Sequence, residues 1–326
     1  MSMLKSWSAA AALALTALVL SPQPGAAADK KVAIANLGPH SVLKLVIDGF
    51  KAGLASGGFK EGAGVEYIYK DANFDPSLVA QVLTALEASE PDLLLTVTTP
   101  ITQASKRVIR NKSLPIVFAP VTDPVDAGLV KSWDKGSARF VGASNLQDMD
   151  TVIAKAKAIL GKVSSMGLLF NPGDANDRVN VKYAEAAAKK AGVKLRTISV
   201  ETVNDIPSRV EALKGVDFIY LIPSSMLQPS VAVVAASAKR NKIPVINASP
   251  GGVKAGHVLG AVSVSWRDVG YQAGLLGAKI LKGAKPSDLP IFRPQPKDHR
   301  VLLSGKRLGE LKMPVPAAFK DCKCVM

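Results

Sequence analysis

Residues 92–128 constrain the fold more than any other part of the chain. An apolar run at 93–97 is followed by the hydroxyl pair Thr98-Thr99 and by Pro100, and a second apolar run at 116–118 ends in a Pro/Thr/Asp turn. Each run is too short for a helix and long enough for a buried strand, so the stretch predicts strand, turn, helix, strand. Thr98 or Thr99 falls at an N-cap position and Pro100 at the first helical position, where its missing N–H costs nothing. Two parallel strands then deliver their polar ends to one sheet edge, the edge at which open α/β sheets bind ligands. Free N–H groups and the positive end of a helix dipole at that edge suit an anionic or carbonyl oxygen.

The alternation extends both ways from this stretch. Strand signals at 31–36 and 65–69 precede it, each followed by a helical pattern, at 42–55 and at 76–87. After a loop rich in Gly, Asp and Ser, a short strand at 140–142 and a helix at 149–160, the plan starts again. Strands at 166–170, 194–200, 217–222 and 244–247 alternate with helices at 175–191, 205–213 and 229–240. Such βαβα order predicts parallel, doubly wound sheets with right-handed crossovers, here in two Rossmann-like lobes. By role, Asn36-Leu37-Gly38-Pro39-His40 corresponds to Asn171-Pro172-Gly173-Asp174, and Thr98-Thr99-Pro100 to Pro223-Ser224-Ser225. Set face to face, these turns would enclose a cleft, the usual place for a small ligand.

The end of the chain reads as extending neither half. A strand at 258–264 leads to a helix at 266–281 whose Gly270, Ala273, Gly274 and Gly277 predict close packing, and then to an extended Pro-rich segment at 289–303. A helix returning to the first lobe would make a second crossing between lobes and the later segment a third, a multi-segment hinge. The expected division is 29–144 with 265–290 in the first lobe, 145–264 with 291–312 in the second, and a tail at 313–326.

Lys5, the apolar run 9–20 and Ala26-Ala27-Ala28 have the layout of a cleavable secretory signal peptide over 1–28, too short to span a bilayer comfortably. The mature chain is therefore expected to begin near Asp29, in the periplasm, and to act as a monomer. Export would permit a disulfide, but Cys322 and Cys324 are one residue apart, where a bridge is strained, and a frayed tail is expected there. The net charge of +15 is spread along helices, without the aromatic-plus-arginine modules that read nucleic acid, so a solvated basic surface is expected and no nucleic-acid partner.

Catalytic constellations are missing from the sequence. The three histidines, His40, His257 and His299, have no metal partner at ligand spacing, and no G-x-S-x-G elbow, G-x-G-x-x-G turn or Walker A sequence occurs. Neither a metal nor a cofactor is expected. The candidate ligand-binding residues lie at the strand ends: His40, Ser41, Thr99, Thr102, Thr122, Asp123, Asn171, Ser224, Ser225, Ser249 and Trp266. Asp123 precedes a proline and also reads as a turn former, Asn176 reads as a helix cap, and Trp266 and Met226 suit either a pocket wall or core.

Several passages carry a resemblance: Pro-Ile-Val-Phe-Ala-Pro-Val-Thr-Asp-Pro-Val-Asp-Ala-Gly-Leu-Val (115–130), Phe-Asn-Pro-Gly-Asp-Ala-Asn (170–176), Ile-Pro-Val-Ile-Asn-Ala-Ser (243–249) and Gly-Tyr-Gln-Ala-Gly (270–274). With the signal peptide and the duplicated lobes, the chain resembles the substrate-binding proteins of ABC transporters, of the tryptophan/tyrosine-type uptake family, on a type I periplasmic-binding-protein fold. The resemblance implies a small organic ligand, carboxylate or amino-acid-like, held between the lobes and passed to a membrane permease. A ligand sensor for a membrane receptor, and an exported enzyme using Asp123 or His40 as acid or base, are the alternatives on the same frame. Related proteins tend to carry an Asp in the turns that here read Pro223-Ser224-Ser225-Met226 and Asn247-Ala248-Ser249-Pro250. Without those acids the resemblance shifts the expectation toward a neutral or purely anionic ligand, met by Thr99, Thr102, Ser224 and Asn171.

Overall fold

The computed structural model describes residues 29–326, and the expected signal peptide at 1–28 lies outside the described residues. In chain order the elements are β1 (Lys30–Asn36), α1 (Ser41–Ser56), β2 (Lys60–Glu61), β3 (Gly64–Asp71), α2 (Val79–Glu87), β4 (Leu93–Thr96), α3 (Thr99–Val108), β5 (Ile116–Phe118) and β6 (Phe140–Gly142). They continue as α4 (Met149–Leu160), β7 (Ser165–Phe170), α5 (Ala175–Ala191), β8 (Lys194–Ser199), α6 (Ile206–Glu211), β9 (Phe218–Leu221), α7 (Val231–Arg240) and β10 (Val245–Asn247). The last are α8 (Gly251–Lys254), β11 (Gly260–Ser263), α9 (Trp266–Leu281), β12 (Arg300–Leu303) and α10 (Gly305–Glu310).

Two six-stranded sheets result, ordered β2-β3-β1-β4-β5-β6 and β8-β7-β9-β10-β11-β12. All pairings are parallel except β11 with β12. Leaving aside the edge strands β2 and β12, each sheet has the order second-first-third-fourth-fifth, so the duplication read in the sequence is a duplication of topology. The central strands are apolar on both faces: β4 and β9 are buried at every residue, as a sheet covered by helices on both sides requires. Separate apolar cores serve the two sheets.

In such a sheet the crevice lies where the strand order reverses, between the first and third strands. In the first sheet that point is the carboxyl ends of β1 and β4, residues 37–40 and 97–99. In the second it is the ends of β7 and β9, residues 171–174 and 222–225.

The chain passes between the sheets three times, after β6, between β11 and α9, and before β12. The first and third passages lie side by side: Phe292 N–H donates to Gly142 O (3.0 Å) and Ser144 N–H to Phe292 O (2.9 Å). His299 Nε2 accepts the Asp148 N–H at 2.9 Å, which ties the two strands again further along.

Helix α9 follows the strands of the second sheet yet packs on α1 of the first. The crossing is made of glycine on both helices. A Cβ on Gly270 would stand 1.9 Å from Val46 O, one on Gly274 2.2 Å from Phe50 O, and one on Gly53 2.2 Å from Tyr271 O. Backbone therefore lies on backbone, which only glycine permits.

Two expectations are corrected at the C-terminus. The terminal region does extend a half, since β11 and β12 complete the second sheet; the prolines before β12 concealed a strand that occupies an edge, where proline is tolerated. The tail is also not frayed. Leu303 N–H donates to Cys324 O (2.7 Å), Met326 N–H to Leu303 O (3.0 Å) and Gly305 N–H to Met326 O (2.8 Å), while Phe319 is buried. Cys322 and Cys324 are disulfide-bonded despite their spacing. The terminal residues satisfy backbone groups that the β12 edge would otherwise leave open. Among the described residues no helix is long and apolar enough to cross a membrane.

Candidate ligand-binding cleft

The turns at the two switch points meet on one cavity. Thr98, Thr99, Thr122 and His40 reach it from the first sheet, and Asn176, Ser224, Ser225 and Gln228 from the second. Leu37, Val42, Leu43, Phe74, Trp266 and three prolines supply its apolar wall. No Asp, Glu, Lys or Arg is among the lining residues. The cavity is thus an apolar chamber with a few uncharged polar groups.

Helix α3 begins at Thr99 with Thr98 as its N-cap, but Thr98 does not cap by its side chain. Its backbone is at φ 88°, ψ 157°, a region that a β-branched residue enters only under strain. The residue is 8% exposed, and its Oγ1 is buried with no hydrogen-bond partner. Behind it, Thr102 Oγ1 donates to Thr98 O (2.7 Å) and pairs with Thr96 Oγ1 (2.9 Å), which holds the turn in this shape. Thr102 is therefore a support of the turn and does not line the cavity. Thr99 Oγ1 accepts the Thr122 N–H at 3.4 Å, and Thr122 Oγ1 donates to Asn145 Oδ1 at 3.3 Å.

His40 is the N-cap of α1: its Nδ1 accepts the Val42 N–H at 3.3 Å. Burial holds its pKa below the ordinary imidazole value, so the ring is neutral. Trp266, the first residue of α9, lies against the first lobe's core while its Nε1–H donates to Ala248 O of the second (3.1 Å). It bridges the lobes with a wall of the cavity.

Other sequence candidates stand away from the cavity. Asp123 accepts from the N–H groups of Val125 (2.9 Å) and Asp126 (3.1 Å), the turn-forming role, and also from the Tyr183 hydroxyl of α5 (3.1 Å), which crosses between lobes. Asn171 Oδ1 accepts the Gly173 N–H (2.8 Å) within its own turn. Ser41 and Ser249 flank Gly251 at the seam: a Cβ there would lie 3.9 and 3.6 Å from their hydroxyls. Met226 packs against the second lobe's core.

Sequence reasoning passed over Thr98, Asn145, Asn176 and Gln228 as site residues. Asn176 was concealed by reading it as a helix cap. It lies on the inward face of α5, 4% exposed, with Nδ2 donating to Asp177 Oδ1 (2.8 Å) and its Oδ1 unpartnered. Asp177 is fully buried beneath it, and its Oδ2 accepts the Asn171 N–H (2.8 Å). Burial pushes the Asp177 carboxyl up to about 7, against the pull of the Asn171 N–H and the Ser224 hydroxyl.

Two α/β lobes of one topology, crossed by three chain segments and enclosing a cavity at their facing switch points, define the class: a binding protein of the type I periplasmic fold. The match of residues 31–316 to the family model for ABC transporter substrate binding proteins places the chain in that family. Among its relatives, a tyrosine-binding protein of Clostridioides difficile is 27% identical over 264 residues, covering 81% of this chain and 76% of that protein. The crystal structure of an ABC domain in complex with L-Trp from Streptococcus pneumonia superposes with a TM-score of 0.84, at 27% identity over 91% of this chain and all of that one. A ligand-free, open substrate binding protein from Clostridium difficile gives 0.71, at 28% identity over 91% of this chain and 99% of that one.

Proposed function

We propose that this chain captures a small organic solute, carboxylate or amino-acid-like, in the cleft between its lobes outside the inner membrane, and presents the closed form to an ABC permease. The observation that carries the reading is the buried, unpartnered Thr98 hydroxyl at the N-terminus of α3, facing an uncharged and largely apolar cavity. A carboxylate there meets free N–H groups, the positive end of the helix dipole and a hydroxyl donor, while the apolar body of the solute takes the space between Phe74, Leu43 and Trp266. The contacting set in this reading is His40, Thr98, Thr99, Thr122, Asn145, Asn176, Ser224, Ser225, Gln228 and Trp266.

The lobes work as a hinge on the three crossing segments. The Tyr183–Asp123 and Trp266–Ala248 hydrogen bonds, with the higher similarity to the L-Trp complex than to the open relative, favour taking this arrangement as the closed one. Shifting a two-state balance from mostly open to mostly closed takes about 5.5 kcal/mol of differential binding, which polar groups from both lobes on one guest can supply.

Catalysis has no part in this reading. His40 is occupied as a neutral helix cap and Asp123 as a turn and seam acceptor, so neither is poised as acid or base. The protein acts as a monomer, exported through its N-terminal signal, and binds no nucleic acid. Native mass spectrometry of freshly purified protein, with thermal-shift screening of amino acids and small carboxylates, tests the proposal. A carried solute, or stabilisation that saturates with one, is the expected result. Turnover of a screened compound, or no stabilisation by any of them, would count against it.

A further inference from the structure

Asp177 has no cation to answer it. It is fully buried on the inward face of α5, and its donors are all neutral: Asn171 N–H, Asn176 Nδ2 and the Ser224 hydroxyl. The charged groups that act on it belong to its own helix and loop: Asp174, which works against ionisation, and Arg178, which works for it. The Arg178 guanidinium is itself turned to Pro172 O (2.7 Å) on the exposed side. The β7 turn offers Asn171 and the β9 turn Ser224, both neutral, and across the cavity the first lobe presents His40 as a neutral ring. A buried carboxylate without a countercharge is costly, and natural interiors pair or neutralise it.

Two cavity-lining side chains touch this acid, Asn176 and Ser224, and of these Asn176 has an acceptor without a partner. Once ionised, Asp177 can only accept hydrogen bonds, so it then fixes the Asn176 amide with Nδ2 inward, and the atom left for a guest is Oδ1, which is buried and unpartnered. An acceptor backed by a negative charge calls for a cationic donor.

We propose that Asp177 is a positioning residue which, acting through Asn176, makes the second lobe's side of the cleft a seat for a protonated amine, so that the site selects a solute carrying an ammonium beside its carboxylate. The inference rests on the proposed binding function and narrows it. Ser224 and Ser225 bring no charge to the cavity, and Asp177 supplies one from a layer deeper. The raised pKa of Asp177 fits this layout, because an ammonium guest favours the ionised form and its arrival expels the proton.

Calorimetry with two matched pairs tests it: L-phenylalanine against 3-phenylpropanoate, and L-leucine against 4-methylpentanoate, on the wild-type protein and on Asp177→Asn. In the wild type the amino member of at least one pair is expected to bind 10-fold or more tighter than its desamino partner. At pH 6, in buffers of different ionisation enthalpy, that member releases a proton on binding and the desamino acid does not. In Asp177→Asn the preference falls to within about threefold, while the desamino acid changes little, since the variant keeps an acceptor for the Asn171 N–H. A merely structural role would weaken both members equally and leave their ratio intact, and that outcome overturns the inference. Tighter binding of the desamino acids by the wild type, or no proton release with the amino member, overturns it too while leaving the binding function standing. Should the wild type bind neither member of either pair, the carboxylate reading of the cleft falls and takes this inference with it.

Discussion

Replacing Thr98 with glycine is expected to stabilise the empty protein and weaken its hold on a guest. Thr98 carries a β-branched side chain at φ 88° and buries a hydroxyl that nothing satisfies. Relief of the backbone strain returns about 1–3 kcal/mol. Removal of the orphaned hydroxyl returns about 1–3 kcal/mol more. Against this, the lost methyl costs about 0.8 kcal/mol and the freedom of glycine in the unfolded chain about 0.5–1 kcal/mol. No cap is lost, because the side chain makes no capping bond. The balance is a gain centred near 2 kcal/mol, or a rise in Tm of about 3 °C for a chain of this size. If the hydroxyl meets a carboxylate, binding weakens by about 1.5–3 kcal/mol, on the order of 10- to 100-fold in Kd. Differential scanning fluorimetry of the empty protein and calorimetry with its solute read the two effects separately, and Thr98→Ser, which keeps the hydroxyl, retains affinity. Loss of more than about 1 kcal/mol of stability, or unchanged affinity, would refute the argument that function holds this strain in place.

Two further outcomes follow from the packing and from the buried acid. Gly270→Ala, whose Cβ would meet Val46 O at 1.9 Å, should cost about 2 kcal/mol in urea unfolding although alanine is the better helix former, whereas Gly309→Ala in α10, with nothing within 4 Å, should gain about 0.5–1 kcal/mol. Because the Asp177 pKa is raised to about 7, the folded chain holds a proton that the unfolded chain gives up near pH 4. Its contribution is therefore fully present below pH 4 and lost as pH rises to 7, a fall on the order of 4 kcal/mol. Asp177→Asn should flatten that slope and be the more stable protein at pH 8, and parallel pH curves for the two proteins would contradict this.

The fold was legible because its signals are local. Parallel strands buried on both faces are continuous apolar runs, and the helices between them carry their own caps and stops, so β5, β6, α4, α5 and α9 occupy the residues their patterns predict. What failed is non-local. The strand at 300–303 is recognisable only beside β11, and the ordered tail only beside Leu303. The turns of the cleft could be read, since Thr99 and Ser224 end buried strands at equivalent places, and both line the cavity. Which side chain in a turn faces the guest could not, because it depends on which neighbours absorb its hydrogen bonds. Thr102 spends its hydroxyl on Thr96 and Thr98, Asn171 spends its amide on Gly173, and Asn176 keeps an oxygen free. Asp177 was hidden for the same reason: an acid in the first turn of a helix looks like a partner for the dipole, and only its burial marks it as anything else.

The glycine crossing of α1 and α9 sets an order of events for the nascent chain. The first hundred-odd residues hold every strand of one sheet, yet the partner of its first helix is not made until residue 281. A newly made segment ending at β6 leaves the backbone groove of α1 open, so that lobe cannot finish condensing by itself. Keeping the last piece of the first lobe until nearly the end delays its compaction until most of the chain has been made.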